Sequence, residues 1–345
     1  MRERKPYNYT SMNTLALSKF AKAFAVLLLL MIMSAYGLRG QGVEPESVPT
    51  QHVASSPYQN LPLDSEARKT VEDAVKSRDY ARAEEILARE IAERPKSYAL
   101  LASLGRIFFL DGKYLNCAVA LKKAERNAPL EDSDRYTLAL AYIVLKKPDW
   151  ARPEFERLAK SNPANPLYVY WGGRIDYDEQ RFKAAALEFE KAAALDPGLM
   201  KAYDNLGLTY EALGDFDRAI RNYQQATDVN RRQASPSPWP LLNLGALLIR
   251  TGEYQRAEDA LRESLRCDSR FPMAHYQLGR VLEKRGKDAE ALEELRLAVL
   301  YGPDYPDPHY VMGRIYERAG EKQKAELEWK TFQQLKQKHP HARVH

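Results

Sequence analysis

The chain has 345 residues, of which 45% are hydrophobic and 29% are charged, a composition typical of a folded globular protein. Its formal net charge of +5 lies entirely in residues 1–40, which hold six basic residues and one acidic residue. Nucleic-acid binding needs a basic face, and the rest of the chain carries no net charge, so no nucleic-acid partner is predicted.

The first 37 residues have the pattern of a targeting segment. Lys22 is followed by an uninterrupted apolar run over residues 23–33, and the small residues Ala35 and Gly37 come directly after it. A basic region, a short apolar core and small residues at this spacing are typical of a secretory signal. We therefore predict a signal peptide over residues 1–37, cleaved after Gly37.

A retained membrane anchor over residues 23–36 is the alternative interpretation. The apolar run is shorter than the roughly 20 residues of a membrane-spanning helix, which favours cleavage. Translation from Met12 instead of Met1 would shorten a long leader. Either way the protein is expected to be exported, either periplasmic or secreted, or held at the cytoplasmic membrane. The only membrane contact expected is through this segment.

Residues 38–63 are predicted to be a flexible linker. They contain Pro45, Pro49, Pro57 and Pro62 among Gln, Ser, Val and Glu, and they show no helical or alternating apolar period. Such a composition favours an extended, mobile segment.

A pattern of about 34 residues then recurs to the end of the chain. A small residue returns eight times, an earlier small residue seven times, and a larger apolar residue eight times. The first series is Ala83, Cys117, Ala151, Ala185, Ala219, Ala257, Ala291 and Ala325; the second is Gly105, Ala139, Gly173, Gly207, Gly245, Gly279 and Gly313; the third is Leu87, Leu121, Phe155, Phe189, Tyr223, Leu261, Leu295 and Trp329. Apolar residues at helical spacing on both sides of each turn predict two helices per unit.

This pattern resembles the tetratricopeptide repeat. The resemblance implies an all-α, right-handed superhelix of helix-turn-helix units, whose first helices line a concave face. The eight predicted units cover residues 64–97, 98–131, 132–165, 166–199, 200–233, 238–271, 272–305 and 306–337, followed by a tail at 338–345. A single pair of helices cannot bury its own apolar face, so each unit is expected to stack on the next.

One insertion interrupts the period between the fifth and sixth units. Four extra residues and three prolines lie between Arg231 and Pro240. A tolerated surface insertion is the simpler interpretation, because loops accept extra length at little cost. The alternative is that Trp239 stands exposed as an anchor for a partner protein, since aromatic residues are enriched at binding hot spots.

No catalytic residues, metal site or cofactor are predicted. The sequence has no glycine-rich phosphate loop, nucleophile elbow or paired-histidine zinc helix. Cys117 occupies a small-residue position and is expected to be buried, and it is too many repeats from Cys267 for a disulfide. His275 and His309 stand in adjacent units, about 8–10 Å apart by helix packing, which is too far to share one metal.

The candidate binding residues follow from the resemblance. In that family, ligands contact side chains just before and just after the small residue of each first helix. Carried over to this sequence, these positions are Tyr136, Tyr170, Trp171, Arg174, Asn205, Asn243, Tyr276, Gln277, Arg280, Tyr310 and Arg314. Amides can pair with the backbone of an extended peptide, arginine can bind carboxylates and tyrosine can stack on side chains.

The sequence therefore predicts a non-catalytic scaffold of the cell envelope that binds protein or peptide partners in its groove. The peptide is expected to be extended or C-terminal and somewhat acidic. An accessory subunit that binds glycan or cell-wall fragments in the same groove is the alternative, because aromatic residues with arginine and amides can also hold sugars. Packing between first helices is an alternative role for the tyrosines. The family's usual pattern of lysine and asparagine clamps for peptide carboxylates is absent.

Overall fold

A computed structural model describes Tyr58 and residues 61–338, and all of its regular elements are α-helices. The sixteen helices of this part of the chain pair into eight hairpins, which confirms the predicted fold class. They are α1 Ser65–Lys76, α2 Tyr80–Glu93, α3 Tyr98–Leu110, α4 Tyr114–Glu125, α5 Asp132–Val144, α6 Pro148–Ser161, α7 Pro166–Asp178, α8 Phe182–Leu195, α9 Met200–Ala212, α10 Phe216–Asn230, α11 Trp239–Thr251, α12 Tyr254–Cys267, α13 Pro272–Lys284, α14 Asp288–Tyr301, α15 Asp307–Arg318 and α16 Lys322–Lys338.

The described chain divides into two compact units, one ending at Tyr301 and one made of residues 302–338. In the first, each second helix packs on the first helix of its own hairpin, and each one before α14 also packs on the first helix of the next hairpin. In the second, α15 packs on α16. Among the described residues, no helix combines the length and apolar character needed to span a membrane. The predicted signal or anchor segment lies outside the described residues, as does the tail beyond residue 338.

The recurring glycines let the two helices of a hairpin approach closely. A Cβ atom built on Gly207 would lie 2.4 Å from the ring of Tyr223, and one on Gly173 would lie 2.8 Å from the ring of Phe189. Both rings are fully buried. In the six hairpins with glycine at this position, the larger apolar residue of the second helix therefore occupies the space that a side chain on the first helix would need.

The turn inside each hairpin uses one left-handed residue. Glycine fills this position in five hairpins, with φ between 71° and 83°. Arg78, Lys146 and Gln180 take the same conformation in the other three, with φ of 60°, 54° and 59°. Because left-handed backbone crowds Cβ against the following carbonyl, these three turns are strained relative to the glycine turns.

The end of the predicted linker packs instead of extending into solvent. Tyr58, Leu61 and Leu63 are buried in one cluster with residues of the first hairpin, such as Val71 and Leu87. The Arg68 guanidinium holds this segment by donating to the carbonyl oxygens of Leu61 and Leu63, at 3.1 and 2.8 Å. The structure thus differs from the predicted linker near residue 63, because these apolar residues are buried against the first helices of the stack. Residues 38–57 lie outside the described residues.

Candidate functional site

Three of the predicted binding aromatics lie inside the helix stack. Tyr136, Tyr170 and Trp171 are only 4%, 7% and 5% exposed. The Trp171 indole N–H donates to the Tyr136 hydroxyl at 3.0 Å, and its ring stacks on Phe155 with centroids 5.9 Å apart. The expected exposed aromatic row is therefore absent at these positions, because their rings fill the contact between α5, α6 and α7. Their role in the structure is packing between helices.

A polar network joins α7 to α9 beside these rings. The Arg174 guanidinium donates to the side-chain oxygen of Asn205 at 2.5 Å. The Asn205 amide in turn donates to the Tyr170 hydroxyl at 3.3 Å and to the Lys201 carbonyl oxygen at 2.8 Å. Asn205 is buried. The Lys201 ammonium lies 5.1 Å from the Tyr170 ring centroid. The structure therefore brings Tyr170, Arg174 and Asn205 together, with Asn205 bonded internally.

Asp204 is a buried acidic residue that the sequence analysis did not single out. The Asn243 amide donates to one of its carboxylate oxygens at 3.0 Å, across the contact between α9 and α11. Burial raises the pKa of Asp204 to about 6, while the Asn243 hydrogen bond and the charge of Arg174 act in the opposite direction. The available signal was its register, since Asp204 stands where Tyr170 and Tyr276 stand in their own repeats.

The best-assembled part of the predicted surface lies on α13. The Arg280 guanidinium donates to the Gln277 side-chain oxygen at 2.8 Å and lies 5.6 Å from the ring centroid of Tyr276. All three side chains are half-buried. They form a small surface that offers a planar cation, an amide and an aromatic ring, which can bind a carboxylate, a peptide group and a side chain.

The C-terminal unit repeats the tyrosine and arginine of this arrangement. Arg314 lies 6.0 Å from the ring centroid of Tyr310, which is 46% exposed. The Tyr310 ring also contacts Phe332 of α16, with centroids 5.3 Å apart. Within its own unit, this pair presents the same two chemical groups as Tyr276 and Arg280.

Trp239 does not stand out from the surface as the rim-anchor hypothesis required. It is half-buried as the first residue of α11, and its ring packs edge-to-face on Phe271 with centroids 4.9 Å apart. Pro238 and Pro240 flank it at the start of the helix. The insertion therefore ends in an ordinary packing contact.

The histidines and cysteines also have packing roles. His275 and His309 are buried, and their Nδ1 atoms lie 2.7 and 2.6 Å from the carboxylates of Glu294 and Glu328. Cys117 is fully buried, as predicted, and burial raises its pKa to about 12. In the part of the chain that the structure describes, no three or more His, Cys, Asp or Glu residues are grouped as metal ligands would be.

Sequence comparison identifies the family. Two family models, both described as the tetratricopeptide repeat, match residues 69–131, 136–199 and 242–307 in one case and 199–270 in the other. One of them alone matches more than half of the chain, so the protein belongs to the tetratricopeptide repeat family. Proteins of this family are generally scaffolds for protein interactions.

The individual relatives are distant. The chain is 24% identical over 180 residues to a TPR repeat-containing protein of Methanocaldococcus jannaschii, and 25% identical over 211 residues to stress-induced-phosphoprotein 1 of Caenorhabditis elegans. These matches cover 52% and 57% of this chain but only 31% and 60% of the two relatives.

Solved structures show the same fold. A tetratricopeptide repeat protein from Parabacteroides merdae matches with a TM-score of 0.57 and 17% identity, over 76% of this chain and 99% of that one. The type IV pilus biogenesis factor PilW matches with a TM-score of 0.53 and 20% identity, over 61% of this chain and 95% of that one. At these identities the likeness concerns the fold alone.

Proposed function

We propose that this protein is a non-catalytic scaffold that binds extended, somewhat acidic peptide segments along the surface of its first helices. The general role follows from the family. The observation that carries the finer proposal is the cluster of Tyr276, Gln277 and Arg280 on α13, where Arg280 lies against both of the other two groups.

The cluster is suited to ligand binding because its three side chains are only half-buried, so that a ligand can reach them. The Arg280 guanidinium donates to a neutral amide at 2.8 Å, and a ligand carboxylate is a stronger, charge-assisted acceptor. A planar guanidinium can bind a carboxylate through two parallel hydrogen bonds. An acidic side chain or a C-terminus would thus replace the Gln277 contact, leaving the amide of Gln277 for the peptide backbone.

The location that we propose is the cell envelope. It rests on the basic and apolar pattern of residues 1–37, which lie outside the described residues. An exported scaffold would carry its partners in the periplasm or at the membrane.

The test is affinity capture from an envelope extract with the full chain and with a Tyr276→Ala/Arg280→Ala/Arg314→Ala variant. Truncation of these half-buried groups should abolish capture of the specific partner while leaving the helical circular dichroism spectrum unchanged. Binding of synthetic peptides from each captured partner would then be measured by calorimetry.

A matched control is Arg221→Ala/Arg266→Ala, which removes two exposed arginines from second helices. It should retain every partner. Equal capture by the chain and both variants would contradict the proposal. Stabilisation of the fold by oligosaccharides, with no effect of acidic peptides on the melting temperature, would favour the glycan alternative, since a ligand that binds only the folded state must stabilise it.

A further inference from the structure

Three consecutive second helices carry an apolar residue at the same solvent-facing position. Val119 on α4, Pro153 on α6 and Leu187 on α8 are spaced by 34 residues and are all exposed; Val119 is 50% and Leu187 is 68% accessible. None of these three side chains contributes to the packing of the hairpins, because the buried residues lie on the opposite side of each helix.

In the unit that ends at Tyr301, only these three repeats have an apolar residue at this position; Leu327 occupies it again in the C-terminal unit. In the neighbouring second helices, the same position holds Glu85 before the series and Arg221 after it, and then Asp259 and Glu293. Charged residues are the ordinary choice for a solvated helix surface. Three adjacent apolar residues bounded by charges therefore form a defined patch. Isolated exposed apolar residues need no explanation, but contiguous ones indicate an interaction site.

The patch is bordered by positive charge. One helical turn after each apolar residue stands a basic residue, namely Lys123, Arg157 and Lys191, and all three are exposed. Counting α4 with its C-cap residue, α6 and α8, the exposed charged side chains are seven basic and three acidic. The exposed surface of these three helices therefore carries a net positive charge.

Two further exposed apolar side chains extend the patch. Leu115 stands one turn before Val119 and is 59% exposed, and Trp150 on α6 is 54% exposed. The Lys147 ammonium lies 5.6 Å from the Trp150 ring centroid. A tryptophan ring next to basic side chains is an arrangement that suits the boundary between lipid headgroups and acyl chains. We name these residues, with the three basic ones, the apolar–basic face.

We propose that the apolar–basic face docks on the surface of an anionic lipid bilayer. The exposed apolar groups stand on three separate helices, so they fit a broad surface better than a single peptide. Lysine and arginine can place their apolar stems beside buried apolar groups while their charges reach anionic headgroups. Such peripheral attachment combines shallow apolar burial with electrostatic attraction. It differs from the first-helix surface in both location and ligand, so it is independent of the proposed peptide binding.

The test uses the full chain and a readout at the face, because the apolar run at residues 23–33 could itself enter a bilayer. Vesicles of brominated phosphatidylcholine are prepared with and without phosphatidylglycerol. The quenching of Trp150 is obtained as the difference in tryptophan fluorescence quenching between the wild-type chain and its Trp150→Phe variant. We expect strong quenching on vesicles with phosphatidylglycerol, and at least a fivefold loss with Val119→Asp/Leu187→Asp or with Lys123→Glu/Lys191→Glu.

Matched controls are available in other second helices. Leu327→Asp changes the equivalent apolar position of α16, which is 63% exposed, and Arg89→Glu changes the equivalent basic position of α2. Both should leave the quenching unchanged. No quenching of Trp150, or equal quenching without phosphatidylglycerol, would overturn the proposal. Binding of an acidic peptide that depends on Lys123 and Lys191, without quenching by vesicles, would overturn it in favour of an acidic protein partner.

Discussion

Two adjacent glycines in α7 allow the close approach of helices to be tested within one turn of one helix. Gly173 faces the ring of Phe189, whereas Gly172 has no non-neighbouring atom closer than 3.8 Å to its would-be Cβ. Replacing each by alanine changes the helix propensity by the same amount. The two variants therefore differ chiefly in whether the added methyl group has room.

The expected effects have opposite signs. Alanine is favoured over glycine inside a helix by about 1 kcal/mol, so Gly172→Ala should stabilise the fold by up to that amount. At Gly173 the new Cβ would lie 2.8 Å from two atoms of the buried Phe189 ring, and overpacking of this kind typically costs about 1–3 kcal/mol. Gly173→Ala should therefore destabilise the fold by roughly 1 kcal/mol after the propensity gain, about 2 kcal/mol below Gly172→Ala.

The assay is urea unfolding followed by circular dichroism, with hydrogen exchange of α7 and α8 read by mass spectrometry. Because repeats contact only their neighbours, the change in exchange should concentrate in these helices and those beside them. Equal stabilisation by both substitutions would mean that α7 and α8 do not approach as closely as the structure shows.

Three further predictions concern stability. Asp204→Asn should raise the free energy of unfolding at pH 8 by about 2–3 kcal/mol, because the folded-state pKa of about 6 exceeds the ordinary value of 3.8 and each pKa unit corresponds to about 1.4 kcal/mol. The wild type should regain this difference as pH falls through 6 towards 4. Urea titrations that show no pH-dependent difference between the two proteins would contradict this prediction. Gln180→Gly should stabilise the fold by about 1 kcal/mol by relieving a left-handed turn, while Gln180→Ala should not, as measured by thermal unfolding. Leu61→Ala should cost about 2 kcal/mol or more and speed hydrogen exchange in α1, whereas exchange unchanged from the wild type would show that the segment does not cap the stack.

The helices and their packing were predictable because the relevant signals are local and repeated. Each small residue of the second helices, such as Ala185, is followed four positions later by a larger apolar residue, and in six hairpins that residue fills the space over a first-helix glycine, as Phe189 does over Gly173. The repeat also predicted the burial of Cys117, because this residue stands at the position where the other repeats have alanine.

The N-terminal packing was not predictable, because Tyr58, Leu61 and Leu63 follow no helical or alternating period among the prolines. Their burial depends on contacts with residues that are distant in sequence, such as Leu87 and Leu100, which a linear pattern does not express.

The candidate surface was only partly predictable because the direction of a side chain depends on the rotation of its helix. Trp171 lies one residue beyond Tyr170, about 100° around the helix, and both are buried against neighbouring helices. The partner of Asp204 is Asn243, 39 residues away across the insertion. The cluster on α13 was predictable from the sequence because Tyr276, Gln277 and Arg280 lie within about one helical turn of one another.

The most direct test of the proposed function is site-specific photo-crosslinking in the native host. A benzophenone amino acid replaces Tyr276 on the first-helix surface or, as an aromatic control, Phe216 on a second helix. If peptides bind as proposed, crosslinks from position 276 should map to extended, acidic segments of partner proteins and should disappear with Arg280→Ala. Crosslinks that form only from position 216, or that persist from position 276 in the Arg280→Ala variant, would contradict the proposed peptide binding.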